Sequence, residues 1–129
     1  MELLAKKKGT FYYTPIEEIN KEKPASFKIR LLSNMELAEF EDNEKIFDLE
    51  MGEVRDNLAK VEVEIALRCI SGWKNITVNG KPLKYKGDVS ILDKYDSYYL
   101  LREVGQYIKA ISKDPSLEDK LQEARAEFI

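Results

Sequence analysis

The chain has 129 residues, 43% of them hydrophobic and 35% charged, so it is too apolar for a disordered polymer and long enough for one domain with a buried core. Its net charge of −3 argues against the uniform positive field on which non-specific nucleic-acid binding depends. The lone Cys69 excludes an intramolecular disulfide, and the longest apolar run, residues 98–101, is far shorter than a membrane span. We therefore expect a cytoplasmic protein with no nucleic-acid partner and no membrane segment.

The N-terminal part is predicted to be a tail over residues 1–13, followed by a single globular domain over residues 14–129. The tail shows no periodicity and becomes anchored where its aromatic residues begin. Thr14-Pro15-Ile16-Glu17 is a helix-start pattern that predicts a short helical turn. Apolar and basic residues alternate from Phe27 to Leu31, which predicts a strand with one buried face.

The next segment combines a helix start with an acidic run. Ser33 and Glu36 form a capping-box pattern, and the apolar residues that follow predict about two helical turns. Residues 39–44 are mostly acidic and are expected to form a solvated connection. The apolar positions within residues 46–51 do not distinguish a strand from a helix, and this segment stays unassigned.

Residues 53–70 carry two competing patterns. Strict alternation from Val61 to Cys69 is typical of a strand, whereas Val54, Leu58, Val61, Ile65 and Cys69 recur at helical spacing. Length favours the helix, because 17 residues without Gly or Pro exceed a typical strand of five or six. We predict one helix over residues 54–70, with Gly72 as its C-terminal cap.

The C-terminal half should hold a β-hairpin and two helices. Asn79-Gly80 predicts a tight turn between two short arms, and Ile91 and Leu92 a helical turn packed on the core. Apolar spacing predicts a helix over residues 97–112, and Asp114-Pro115 opens a last helix. The expected class is therefore α+β and mostly α, with about four helices, a short N-terminal strand and a small β-hairpin.

Candidate chemistry is sparse. The chain contains no histidine, which removes the commonest general base and metal ligand, and Cys69 lies among apolar residues. Three carboxylate pairs are expected to be solvated surface groups: Glu17-Glu18, Glu62-Glu64 and Asp93-Asp96. We predict that the protein is not an enzyme, has no catalytic or metal site and needs no cofactor.

The aromatic residues after the first long helix have two interpretations. Trp73 could be a partner-binding platform, but such a residue more often closes a small core while its N–H finds a backbone acceptor, so we assign Trp73 and Gly72 as structural anchors. The nearby tyrosines would need accompanying basic groups to bind nucleic acid. Because Asp88, Asp93 and Asp96 interleave with the lysines of this region, no positive groove is expected.

The chain resembles the tail assembly chaperones of long-tailed phages and the small prophage proteins encoded near tail-tube and tape-measure genes. The resemblance rests on residues 27–32 leading into 33–37, on the Ser71-Gly72-Trp73-Lys74-Asn75-Ile76 corner after a helix, and on the closing helix pair. It covers about residues 11–113. It implies a mostly helical cytoplasmic protein that binds the apolar tape-measure protein and recruits tail-tube subunits, with no catalytic residue.

Two other functions stay open: a structural virion component, such as a connector or tail subunit, and a small regulator that binds another protein. The C-terminal helix, residues 114–129, also has two expected fates. Its stripe of Leu117, Leu121, Ala124 and Phe128 either packs on the core or projects and docks onto a second copy or the partner. Leu117, Leu121 and Phe128 are therefore the candidate partner-binding residues.

Overall fold

A computed structural model describes residues 1–5 and 10–126. Helices account for 46% of the structure and strands for 20%, which confirms the predicted α+β, mostly α class. The strands are β1 (Phe11–Tyr13), β2 (Ser26–Ile29), β3 (Lys45–Asp48), β4 (Glu53–Asp56), β5 (Ile70–Lys74), β6 (Thr77–Val78) and β7 (Lys81–Pro82). The α-helices are α1 (Asn34–Asn43), α2 (Leu58–Cys69), α3 (Tyr98–Lys113) and α4 (Ser116–Ala126), and short 3-10 helices span Ile16–Glu18 and Val89–Lys94.

An antiparallel sheet of order β1-β2-β5 covers one side of the core. Its register places Tyr12 opposite Lys28 and Lys28 opposite Gly72, so Phe27 and Ile29 point to the buried face. The last three residues of the predicted tail thus belong to the sheet. The Tyr13 hydroxyl donates to Glu103 at 2.6 Å, which joins this strand to α3.

Helices α2 and α3 pack against each other and supply half of the apolar side chains buried in the core. Their buried apolar positions are Val61, Ile65, Ala66 and Cys69 on α2, and Leu101, Val104, Tyr107, Ile108 and Ile111 on α3. The Ser112 hydroxyl accepts from the buried backbone N–H of Leu32 at 2.9 Å, which fixes the end of α3 beside the chain that leaves β2.

The predicted helix over residues 54–70 is too long at both ends. Residues 54–56 belong to strand β4, and α2 begins at Leu58, whose backbone N–H donates to the Asp56 carboxylate at 2.8 Å. At the other end the backbone becomes extended at Ile70, because this segment pairs with β2. Gly72 therefore does not cap α2; it lies within β5. The helical assignment of residues 61–69 is confirmed.

Helix α1 has the predicted capping box, with Ser33 and Glu36 bonded reciprocally. The prediction that residues 39–44 form a solvated connection is wrong, because α1 continues to Asn43 and buries Phe40. The unassigned segment that follows is strand β3, which pairs with β4 in a hairpin that the sequence analysis did not predict.

The C-terminal half follows the predicted order. Asn79 and Gly80 have φ values of 53° and 77°, the left-handed conformation of a tight hairpin turn between β6 and β7. Leu92 is buried in the 3-10 helix Val89–Lys94, and α3 and α4 lie where the sequence predicts helices. Among the described residues, no helix has the length and apolar character needed to cross a membrane.

Candidate protein-binding site

The β3–β4 hairpin, residues 45–56, carries a group of large apolar side chains that the core does not cover. Their exposed fractions range from 49% to 87%, for Ile46, Phe47, Leu49, Met51 and Val54. Scattered exposed apolar residues are ordinary, but five within twelve residues form a patch of the kind that marks interaction sites.

Strand pairing sorts these side chains onto two faces. Phe47 lies directly opposite Val54, so the two share one face of the hairpin, and Ile46 shares the other face with Arg55. Leu49 and Met51 lie in the four-residue turn between Asp48 and Glu53. Gly52 closes this turn with a φ of 64°, a conformation that a residue with a Cβ rarely adopts. In the sequence, Gly52 separates the two short strand segments, and it is the signal that could have identified the hairpin.

The base of the hairpin is fixed to the helical core. The Asn57 backbone N–H donates to the Glu44 carbonyl at 2.7 Å, and the Asn57 side-chain amide donates to the Asn43 carbonyl at 3.1 Å. Glu44 and Glu41 form ion pairs with Lys109 and Lys113 of α3. The hairpin is thus held at one end while its apolar tip faces solvent.

The residues of α4 that the sequence predicts to bind a partner do not share one environment. Leu117 packs against the core, whereas Leu121 is 37% exposed. Phe128 lies outside the described residues, and the structure does not describe the Ala124 side chain. Helix α4 starts where Asp114 accepts from the backbone and hydroxyl of Ser116, and these bonds lower the pKa of the Asp114 carboxyl.

Trp73 holds the C-terminal hairpin against the sheet. Its side chain is only 9% exposed, its indole N–H donates to the Leu83 carbonyl at 2.7 Å, and its ring meets Tyr85 edge-on with centroids 4.9 Å apart. Gly72 lies beside this contact, on the strand itself. A Cβ built at Gly72 would lie in ordinary van der Waals contact with Lys28 and Tyr85, so the space there does not demand a glycine.

A second concave surface lies on the outer face of the sheet, and we call it the lysine groove. It has a volume of about 660 Å³ between the sheet and the segment 82–85, and its charged lining residues are Lys28, Lys74 and Lys84. Its aromatic lining residues are Tyr12, Trp73 and Tyr85, and no carboxylate is among the described residues that line it. The expectation of no positive groove concerns the segment that runs from Lys84 to Asp96, and the lysine groove shares only Lys84 with that set of charged residues. Strand pairing brings Lys28 and Lys74 onto one face of the sheet, and Lys84 lies in the segment that faces them. Asp88 lines a neighbouring cavity that also includes Lys84.

One expected surface carboxylate is buried. Glu62 is 1% exposed in the α2–α3 interface, and its Oε1 accepts from Nη2 of Arg102 at 3.1 Å. The expectation that Glu62 is solvated is wrong, because the close packing of α2 on α3 encloses it. Arg102 also lies over the Tyr98 ring, and its bond to Glu62 raises the pKa of the guanidinium.

Reactive chemistry has little support among the described residues. Cys69 is buried, and desolvation raises the pKa of its thiol to about 11, so the reactive thiolate is scarce at neutral pH. No group of three or more Cys, Asp or Glu side chains within the described part of the chain is arranged to hold a metal ion.

No family model, no curated protein and no solved structure matches this chain.

Proposed function

We propose that this chain is a protein-binding assembly factor of the phage-tail chaperone type, which holds an apolar segment of the tape-measure protein on its β3–β4 hairpin. The exposed apolar side chains of residues 46–54 carry this proposal. The chain resembles the phage-tail chaperones in the order of its elements, which are strand, helix, Gly-Trp corner, hairpin and closing helices. This resemblance indicates the class of partner.

The size of the patch fits reversible binding. Complete burial of a large apolar side chain is worth about 1.5 to 3 kcal/mol, and a segment bound to one face of the hairpin covers Phe47 and Val54 together with side chains of the turn. Association costs about 4 to 15 kcal/mol, so most of this gain is offset. The net affinity is modest, as a chaperone that must release its partner requires.

Charge favours a partner over a second copy of the hairpin. Within residues 45–56, acidic residues outnumber basic ones, with Asp48, Glu50, Glu53 and Asp56 against Lys45 and Arg55. Two such hairpins repel each other, whereas an apolar segment flanked by lysine or arginine is attracted. The same repulsion keeps the free protein soluble despite its exposed apolar patch.

The test is co-expression with the tape-measure protein of the same gene cluster, followed by size-exclusion chromatography with light scattering. The wild-type chain is expected to keep the tape-measure protein soluble and to elute with it. A double variant, Phe47→Ser with Val54→Ser, should lose the complex, because it removes the apolar pair on one face of the hairpin.

Met35→Ser is the matched control, since Met35 is an apolar residue of α1 that is 80% exposed outside the hairpin. Its complex should equal that of the wild type. The proposal is wrong if the hairpin variant, folded by circular dichroism, retains the complex, or if the cluster encodes no tape-measure protein.

Mass spectrometry of purified phage particles separates a chaperone from a virion component. A chaperone is absent from the finished particle. Stoichiometric amounts of the chain in particles would instead support a connector or tail subunit.

A further inference from the structure

We propose that the lysine groove binds an extended, acidic peptide segment of a protein partner, as a second binding site beyond the hairpin. The groove shares no residue with the hairpin, so the two proposals are independent.

Charge is the first argument. Lys28, Lys74 and Lys84 line one concavity whose described lining residues include no carboxylate, on a chain whose net charge is −3. Asp88 lies in a neighbouring cavity with Lys84, so Lys28 and Lys74 are the two lysines on which the argument depends. Among the residues that the structure describes, none of these three ammonium groups forms an ion pair; Lys74 lies only over the Tyr12 ring, 5.9 Å from its centroid. Elsewhere, Lys21, Lys109 and Lys113 each pair with a glutamate of the same chain. The groove thus holds positive charge that the fold leaves available to an anionic ligand.

Shape is the second argument. The groove crosses the outer face of the sheet from Tyr12 of β1 to the segment 82–85 that lies over β5. The distance between β1 and β5 is about 10 Å, and four extended residues span about 13 Å. Apolar residues lie between the lysines, with Ile76, Leu83 and Tyr85 along the wall. An extended peptide alternates its side chains between two faces, so acidic residues on one side and apolar residues on the other match this lining.

The same groove is poorly suited to single-stranded nucleic acid. Stacking of successive bases needs several free aromatic faces, but Trp73 is 9% exposed and packs edge-on against Tyr85. Tyr12, which is 52% exposed, is the one open ring among the described lining residues. The observations therefore favour a peptide.

The test uses the full chain and three fluorescein-labelled probes measured by fluorescence anisotropy. They are an octapeptide of alternating glutamate and valine, the same peptide with glutamine for glutamate, and an octathymidylate. We expect saturable binding of the glutamate peptide, at least about tenfold tighter than that of either other probe and weaker at high salt.

Charge reversal locates the site. Lys28→Glu and Lys74→Glu should each weaken binding of the glutamate peptide at least about tenfold. The control is Lys23→Glu, which makes the same charge change at an exposed position outside the groove and should leave affinity within about twofold. Lys28→Thr and Lys74→Thr, which suit an exposed strand, serve as neutral variants if a reversal disturbs folding.

Four results would each overturn the proposal. The first is absence of saturable peptide binding, and the second is equal affinity for the glutamine peptide. The third is wild-type affinity in the folded Lys28 and Lys74 variants. The fourth is tighter binding of octathymidylate, which would make the groove a nucleic-acid site. The Phe47→Ser, Val54→Ser variant should bind the glutamate peptide like the wild type, so failure of the hairpin proposal is separately visible.

Discussion

At Gly105, helix α3 lies so close to α2 that a side chain does not fit. A Cβ built at this position would approach the backbone carbonyl of Glu62 to well under 3.0 Å. In a helix on its own, Gly costs about 1 kcal/mol relative to Ala. Here that cost is offset by the close helix contact that it permits.

We predict that Gly105→Ala destabilises the protein by about 1 to 3 kcal/mol, although alanine is the better helix former. The Cβ would force α2 and α3 apart and disturb the packing on both sides. Urea denaturation followed by circular dichroism measures the change. Gln106→Ala, at the exposed neighbouring position, is the control and should be nearly neutral. A more stable Gly105→Ala protein would contradict the packing argument.

Trp73 gives the second prediction at the scale of a residue. Trp73→Ala should lower the free energy of unfolding by about 3 to 5 kcal/mol, because it empties a large aromatic site and leaves the Leu83 carbonyl without its donor. Trp73→Phe should cost less, since a ring still packs against Tyr85. Circular dichroism is the measurement because both variants lack the only tryptophan. Tyr99→Ala, at an exposed ring, should change stability by less than about 0.5 kcal/mol.

At the scale of elements, the structure separates two helices that carry the core from peripheral elements. Helices α2 and α3 bury residues along their whole length, whereas the β3–β4 hairpin is fixed only at its base and α4 packs on the core through Leu117. Two-stranded ribbons are marginally stable alone, so the hairpin depends on this attachment.

For α4 we predict unequal effects of two leucines on one stripe. Leu117→Ala should destabilise the protein by about 1 to 2 kcal/mol, less than a fully buried leucine because Leu117 is only partly buried. Leu121→Ala should change stability by less than about 0.5 kcal/mol. Urea denaturation of both variants measures the difference. Equal and large losses would show that the exposed side of α4 also supports the fold.

For the whole molecule, acid should weaken folding. Hydrogen bonds from Arg30 and from the backbone of Ser33 lower the pKa of Glu36 from 4.5 to about 2, and bonds to Lys21, Lys113, Ser90 and Ser116 lower the pKa values of Glu18, Glu41, Asp88 and Asp114. A carboxyl with a lower pKa in the folded chain than in the unfolded chain stabilises folding when ionised. This stabilisation is complete above about pH 4.5 and is lost as the pH falls towards 2.

We predict that Glu36→Gln is less stable than the wild type at neutral pH and that the difference shrinks through this acid range. The glutamine keeps some of the capping geometry but loses the charge that Arg30 stabilises. Urea midpoints of both proteins across the range measure it. A constant difference at all pH values would mean that the charge of Glu36 does not contribute.

Local patterns predicted the elements whose signals lie within a few residues. The Ser33–Glu36 capping box, the Asn79-Gly80 turn and the periodicity of α3 rest on short-range hydrogen bonds and helical spacing, and the structure contains each of them. Neither candidate binding surface was predicted. The β3–β4 hairpin has a local signal at Gly52, but its apolar residues do not distinguish a strand from a helix. The lysine groove depends on pairing between distant segments. Lys28 and Lys74 are 46 positions apart in the chain, and no pattern in either segment indicates that they share one face.

The amino-acid sequence by itself thus determined the fold class and the two core helices, because composition and periodicity are local properties. The tertiary structure alone decided where α2 starts and ends, since the pairing of β3 with β4 and of β5 with β2 outweighs the helical pattern at both ends. It also decided that Glu62 is buried and that three lysines share a groove. Burial and charge clustering depend on which segments meet, and that is settled by packing of the whole chain.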